Sequence, residues 1–67
     1  MDVIEFHVCR QGDDPRWVVE LDNTPYGAYL DKEQALLDAV DAAKDARQNG
    51  REAYVFLREH LVAARIF

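Results

Sequence analysis

The sequence predicts an α+β fold: a single antiparallel β-sheet of three to five strands with one long α-helix packed on one face, in the order β-β-(β)-α-β-(β). Three observations carry this. Segments 3–10 and 16–22 alternate apolar and polar residues and are separated by a turn containing Gly12 and Pro15. Segment 31–49 is rich in alanine and holds neither glycine nor proline, which favours a helix. Gly50 then stops it, and segment 51–59 alternates again. A chain of 67 residues has room for one core, so residues 1–67 are read as one small domain.

The elements follow in order. In 3–10, Ile4, Phe6 and Val8 point to one side, and Glu5, His7 and Cys9 to the other. Residues 11–15 connect it to 16–22, whose inner face is Trp17, Val19 and Leu21; the pair reads as an antiparallel hairpin. Asn23, Thr24 and Pro25 interrupt, and 26–30 is long enough for a short third strand. Asp31 is a helix N-cap with Gln34 at capping-box spacing. Leu36, Leu37, Val40 and Ala43 form one apolar stripe, with Ala35, Ala39, Ala42 and Ala46 as an adjacent smooth ridge. Asp38, Asp41 and Asp45 share the opposite face, and Lys44 and Arg47 sit near the C-terminal end, as the helix dipole prefers. Within 51–59, Ala53, Val55 and Leu57 alternate against Tyr54, Phe56 and Arg58. Residues 60–67 fit a returning strand or a helical turn, and the strand is favoured.

Charge narrows the function. The net charge is −5, concentrated in the hairpin and the helix; residues 50–67 alone are slightly basic. An acidic chain repels phosphate backbones, which argues against autonomous nucleic-acid binding. The N-terminal residues are acidic where a signal peptide is basic, and no apolar run approaches the roughly 20 residues of a membrane span. Cys9 is the sole cysteine, so no internal disulfide forms. The expectation is a cytoplasmic protein with no membrane association.

The order of these motifs resembles two bacterial groups over roughly residues 4–57. His7-Val8, then Trp17-Val18-Val19, Lys32-Glu33-Gln34-Ala35 and the Gly50-led strand through Phe56 resemble the domain-of-unknown-function family 2188. Arg58-Glu59-His60-Leu61 departs from the glycine-containing turn that usually closes that family. Trp17, Glu20, Pro25, Gly27 and Ala35-Leu36 are similar to the layout of HicB-type antitoxin domains. The first resemblance implies a fold and no activity. The second implies an acidic partner or inhibitor of a small basic protein, although HicB antitoxins usually add a DNA-binding segment with no counterpart in these residues.

Chemistry-bearing residues are few. His7, Cys9 and His60 fall short of the four ligands of a structural zinc site, so no metal or other cofactor is expected. Cys9 beside His7 has the residue types of a nucleophile and base but no orienting third group or oxyanion site, so the protein is read as a non-enzyme with no catalytic residues. The helix aspartates read as a solvated face. Trp17 reads as a core anchor, with a second reading as a stacking platform for a base or peptide beside Arg10, Arg16 and Arg58; single-stranded nucleic acid on the aromatic sheet face is a further alternative. Tyr54 and Phe56 weigh most, because a one-helix sheet leaves its second face open and two aromatics there call for a cover. The candidate interaction surface is therefore Tyr54, Phe56, Arg58, Arg10, Arg16 and Trp17. The expected function is a self-associating protein-interaction module, as a homodimer, with antitoxin-like and nucleic-acid-binding readings as alternatives.

Overall fold

The structure, a computed structural model, describes residues 3–10, 12–59 and 62–67. It holds five strands and one helix: β1 (Val3–Cys9), β2 (Trp17–Leu21), β3 (Thr24–Tyr29), α1 (Lys32–Gln48), β4 (Glu52–Glu59) and β5 (Val62–Arg65). The strands form one sheet in the order β3-β2-β1-β4-β5, and α1 packs on one face of it. The α+β class and the single helix agree with the sequence reading.

The sheet is mixed, not antiparallel throughout. β1 and β4 run parallel over their whole length, from Val3 opposite Glu52 to Cys9 opposite Arg58, while the other three pairings are antiparallel. The reason is the crossover. α1 leaves from the β3 edge and carries the chain back over the sheet, so β4 enters beside β1 in the same direction. A parallel pair needs such a connection of a dozen or more residues, and α1 supplies it.

The hairpin β2–β3 is tighter than the sequence suggested. Asp22 and Asn23 both have positive φ, 50° and 68°, and form a two-residue loop between paired Leu21 and Thr24. Two positive φ values are the signature of a turn whose twist matches the flanking strands. Thr24 and Pro25 therefore belong to β3, where proline is tolerated because the strand is at the sheet edge. A register shift next to Val19 and Glu20 leaves Tyr26 as an extra residue, and its ring meets Phe6 edge-on at 5.8 Å.

Asp31 caps α1 by accepting from the Glu33 amide at 2.9 Å, but Gln34 does not close a capping box. Its amide donates instead to Asp38, one turn on, at 3.1 Å. At the other end, Gly50 at φ 82° lets its amide reach the Arg47 carbonyl at 3.0 Å and that of Arg51 reach Ala46 at 3.1 Å. These two bonds satisfy carbonyls the helix would otherwise leave open.

The core consists of Phe6, Val8, Val19, Ala53 and Val55 from the sheet and Ala35, Ala39 and Ala43 from the helix. The alanine side of α1, not its leucine stripe, thus faces the sheet. Leu36 and Val40 flank the contact, and Leu37 is 59% exposed. No polar or charged residue is buried among the described residues, so the core carries no desolvation debt. β5 pairs along β4, with Leu57 opposite Ala64, and Phe67 exchanges backbone hydrogen bonds with Val55.

Ala39 lies wholly buried against the sheet, so Ala39→Leu is expected to overpack the contact and lower stability by about 1–3 kcal/mol. Leu37→Ala, on the exposed side, should stay within about 0.5 kcal/mol. Urea denaturation of both variants checks the assignment, and the opposite ranking contradicts the alanine seat.

Candidate functional site

With α1 on one face, strand alternation sends the remaining side chains to the other. Pairing registers place them in rows. Glu20 of β2 lies opposite His7 of β1, His7 opposite Phe56 of β4, and Phe56 opposite Arg65 of β5. The neighbouring row is Val18, Cys9, Arg58 and Ala63. On the other side of His7 and Phe56, Glu5 stands opposite Tyr54.

The centre of this face is aromatic. The rings of His7 and Phe56 stack at 5.0 Å between centroids and 18° between planes. Glu5 Oε1 lies 3.1 Å from His7 Nε2, while His7 Nδ1 is buried without a partner among the described residues. The Arg65 guanidinium sits 4.6 Å from the Tyr54 ring centroid. Arg47 reaches from the end of α1, donates to the Ala53 carbonyl at 2.9 Å, and lies 4.1 Å from the Phe67 ring and 5.6 Å from that of Tyr54. These cation–ring contacts hold the C-terminal segment along the β4 edge. Arg58 and Glu20 approach to 3.9 Å across β1.

Cys9 lies in the middle of this arrangement. Burial, and secondarily the Glu20 carboxylate, push its thiol above the ordinary cysteine value, with Arg58 offsetting part of the effect. A nucleophilic cysteine needs the reverse shift. Among the described residues no three His, Cys, Asp or Glu side chains converge on a metal-sized site. The third histidine–cysteine candidate, His60, lies outside the described residues.

The structure divides the six residues singled out from the sequence. Tyr54, Phe56 and Arg58 share the open face. Trp17 lies on the helix side, packed against the core, with Arg10 5.3 Å and Lys32 5.6 Å from its ring. Lys32 is itself bound to Glu59 at 3.2 Å. Arg16 precedes β2, and its guanidinium is held by both Asp14 carboxylate oxygens, at 3.2 and 3.0 Å, with its amide donating to Asp14 at 2.9 Å. Trp17, Arg10 and Arg58 therefore line one recess of about 360 Å³ together with Gly12 and Glu59, and Arg16 lies outside it. The residues missing from the sequence-derived set are His7, Glu20 and Arg65. Alternation could have placed His7 and Glu20 on a shared face, but only the strand order makes them neighbours of Phe56.

A further recess lies elsewhere, between α1 and the β2–β3 hairpin. It is an open groove of about 590 Å³ lined by Ile4, Phe6, Leu21, Tyr26, Ala42, Asp45, Ala46, Asn49 and Arg51. It exists because Ala42 and Ala46 are too small to fill the space beside the sheet edge.

No protein-family model, curated protein or solved structure matches the chain.

Two titrations follow from this geometry. Glu20→Gln should lower the Cys9 thiol pKa toward the ordinary value, because it removes a neighbouring negative charge. Thiolate ultraviolet absorbance against pH reads this, and an unchanged or raised value contradicts the assigned neighbour. The hydrogen bonds from Arg16 hold the Asp14 carboxyl at about 2, below its ordinary 3.8. Their contribution to stability is present above the ordinary value and lost as pH falls toward 2. Arg16→Ala should return the Asp14 midpoint to the ordinary range in a carboxylate NMR titration.

Proposed function

We propose that the protein is a small, non-catalytic interaction module that associates with itself through the sheet face opposite α1. The observation that carries this reading is the His7–Phe56 ring stack, flanked by Tyr54 and lying half-buried in the middle of a sheet face that no element of the described chain covers. Strands central to a sheet normally bury both faces or present polar residues to water. Here β1 and β4 are central, and their outward residues include two large aromatics.

The chemistry of the face supports binding rather than catalysis. Its one thiol is shifted toward the protonated form, Glu20 and Arg58 are engaged with one another, and Arg65 with the Tyr54 ring. It does not favour nucleic acid either: Arg58 and Arg65 are accompanied by Glu5 and Glu20, so no uninterrupted basic track follows a phosphate backbone. A standard interface takes about 800 Å² from each partner, roughly a sixth of this chain's 4761 Å² surface, which one sheet face can supply. An intracellular location fits a chain whose single cysteine is free.

Light scattering with size-exclusion chromatography tests the reading. The expected mass is twice the 7.7 kDa of the chain at micromolar concentration. Phe56→Asp, which places a charge at the centre of the face, should give a monomer with unchanged far-ultraviolet circular dichroism. A 7.7 kDa species at every concentration refutes self-association.

A further inference from the structure

The two edges of the sheet differ. At the β3 edge, Pro25 lacks an N–H and the extra residue Tyr26 breaks the regular spacing, and both features stop a further strand from adding. The β5 edge has neither. Val62, Ala63, Ala64 and Arg65 are all exposed, and α1 packs against β1 to β4 but not against β5. The one charged side chain of β5, Arg65, is folded back over the Tyr54 ring, 4.6 Å from its centroid, and does not guard the edge. The Ile66 amide donates to the Val55 carbonyl of β4 at 2.7 Å. Backbone groups of successive strand residues alternate in direction, so Val62 and Ala64 turn theirs to β4 while Ala63 and Arg65 turn theirs outward. Those outward groups have no backbone partner among the described residues.

The side chains of the edge are apolar where they are open. Val62 and Ala64 stand on the helix side, opposite Glu59 and Leu57, and Ile66 continues that row. Val62 is 68% exposed and Ile66 46%, so their own chain leaves the row uncovered. β5 is also complementary to itself. An antiparallel copy forms hydrogen bonds only in registers that oppose outward residues, and these centre on Ala63, Ala64 or Arg65. Centred on Ala63 or Arg65, one residue pair exchanges both bonds among the described residues, and the Arg65 register also sets two guanidiniums side by side. Centred on Ala64, Ala63 faces Arg65 of the second copy and Arg65 faces its Ala63, so two pairs exchange both bonds. Val62 then meets Ile66 of the second copy on either side of an Ala64–Ala64 contact, a β-branched cross-strand pair made twice. On the open side the small Ala63 leaves room for Arg65. The next charge in that row, Arg58 of the second copy, stands one strand further, roughly 10 Å from Arg65 and about a Debye length at physiological salt.

We propose that β5 pairs antiparallel with β5 of a second copy, about a twofold axis that passes through Ala64 normal to the sheet and joins the two sheets into one. This contact is separate from the face-to-face contact proposed above and does not compete with it. An axis normal to the sheet leaves both helices on one side and both open faces uncovered on the other. A contact of one short strand takes well under the roughly 800 Å² per partner of a standard interface, so it fills at higher concentration than the face.

The test is isotope-filtered NMR on a mixture of labelled and unlabelled chains at millimolar concentration, in the Phe56→Asp background that removes the face contact. Ala64 and its copy form a non-hydrogen-bonded pair, the closer kind, so a contact between their Hα protons across chains is expected. Its absence overturns the proposal, and an Ala63–Ala63 or Arg65–Arg65 contact overturns the register. Ala63→Pro removes an outward N–H that takes no part in pairing with β4, so the fold should survive while self-association by sedimentation equilibrium weakens at least about tenfold. Val62→Lys, at an exposed position, should weaken it as well. Circular dichroism establishes that each variant is folded, and if Ala63→Pro is not, Val62→Lys decides alone. Folded variants that associate as tightly as their parent overturn the edge contact. The two self-contacts fail separately: loss of the micromolar dimer on Phe56→Asp concerns the face alone, and the Ala64 contact concerns the edge alone.

Discussion

The structure depends on the close seating of α1 on the sheet through side chains of one methyl group. Ala35, Ala39 and Ala43 are wholly buried, and they meet a floor of Val8, Val19, Val55 and Ala53. So small an interface brings the helix backbone near the sheet and leaves no room for large residues beneath it. Phe6 is the one ring in the buried set. The other large apolar side chains are displaced to the flanks, as with Ile4, Trp17, Leu21, Tyr29, Leu36 and Leu57, or to the opposite face, as with Tyr54 and Phe56. Packing of this kind gains dispersion contacts through fit more than through area, so its tolerance for added volume is low.

The path of the same helix decides what the opposite face looks like. Because α1 crosses back from β3, β4 lies parallel to β1 at the centre of the sheet, and the parallel register sets His7 beside Phe56 and Glu5 beside Tyr54. An antiparallel β4 would have reversed the order of Tyr54, Phe56 and Arg58 along β1, and with Phe56 beside His7 it would have set Arg58, not Tyr54, opposite Glu5. The make-up of this face is therefore a product of topology, because its neighbours come from segments far apart in the chain. The crossover on one side and the surface on the other are a single consequence of where the helix sits.

Much of the fold was legible in the sequence, and the parts that were not share a physical cause. Alternation in 3–10, 16–22 and 51–59 marks strands because side chains on a strand repeat every second residue, and Asp31 and Gly50 bracket the helix by their capping chemistry. Alternation is the same for parallel and antiparallel neighbours, so the direction of β4 was not in it. The helix face was misjudged because leucine outweighs alanine on any transfer scale, whereas the seat selects for small size; Leu37 is left outside as a result. The Asp22–Asn23 turn was passed over for the proline beside it, although both residue types tolerate positive φ. Of the open face, Tyr54, Phe56 and Arg58 were readable from one strand alone. His7, Glu20 and Arg65 became their neighbours only through register, which no local pattern encodes. Arg10 and Arg58 do share a recess with Trp17, whereas Asp14 holds Arg16 outside it.

The half-covered sheet also bears on why the face carries charge at all. A purely aromatic patch would bury well but would accept any apolar surface, including its own copies in many arrangements. Carboxylates and guanidiniums interspersed with the rings add little net affinity once desolvation is counted, since exposed pairs contribute about 0–1 kcal/mol. On the self-associating reading their larger effect would be discrimination, because an arrangement that places like charges together is penalised. The Arg58–Glu20 approach at 3.9 Å gives two of these groups partners within the isolated chain, so they are not unpaired before association. In a chain of 67 residues a single thin core leaves stability marginal, so a partner on the second face, as proposed above, would contribute to folding as well as binding.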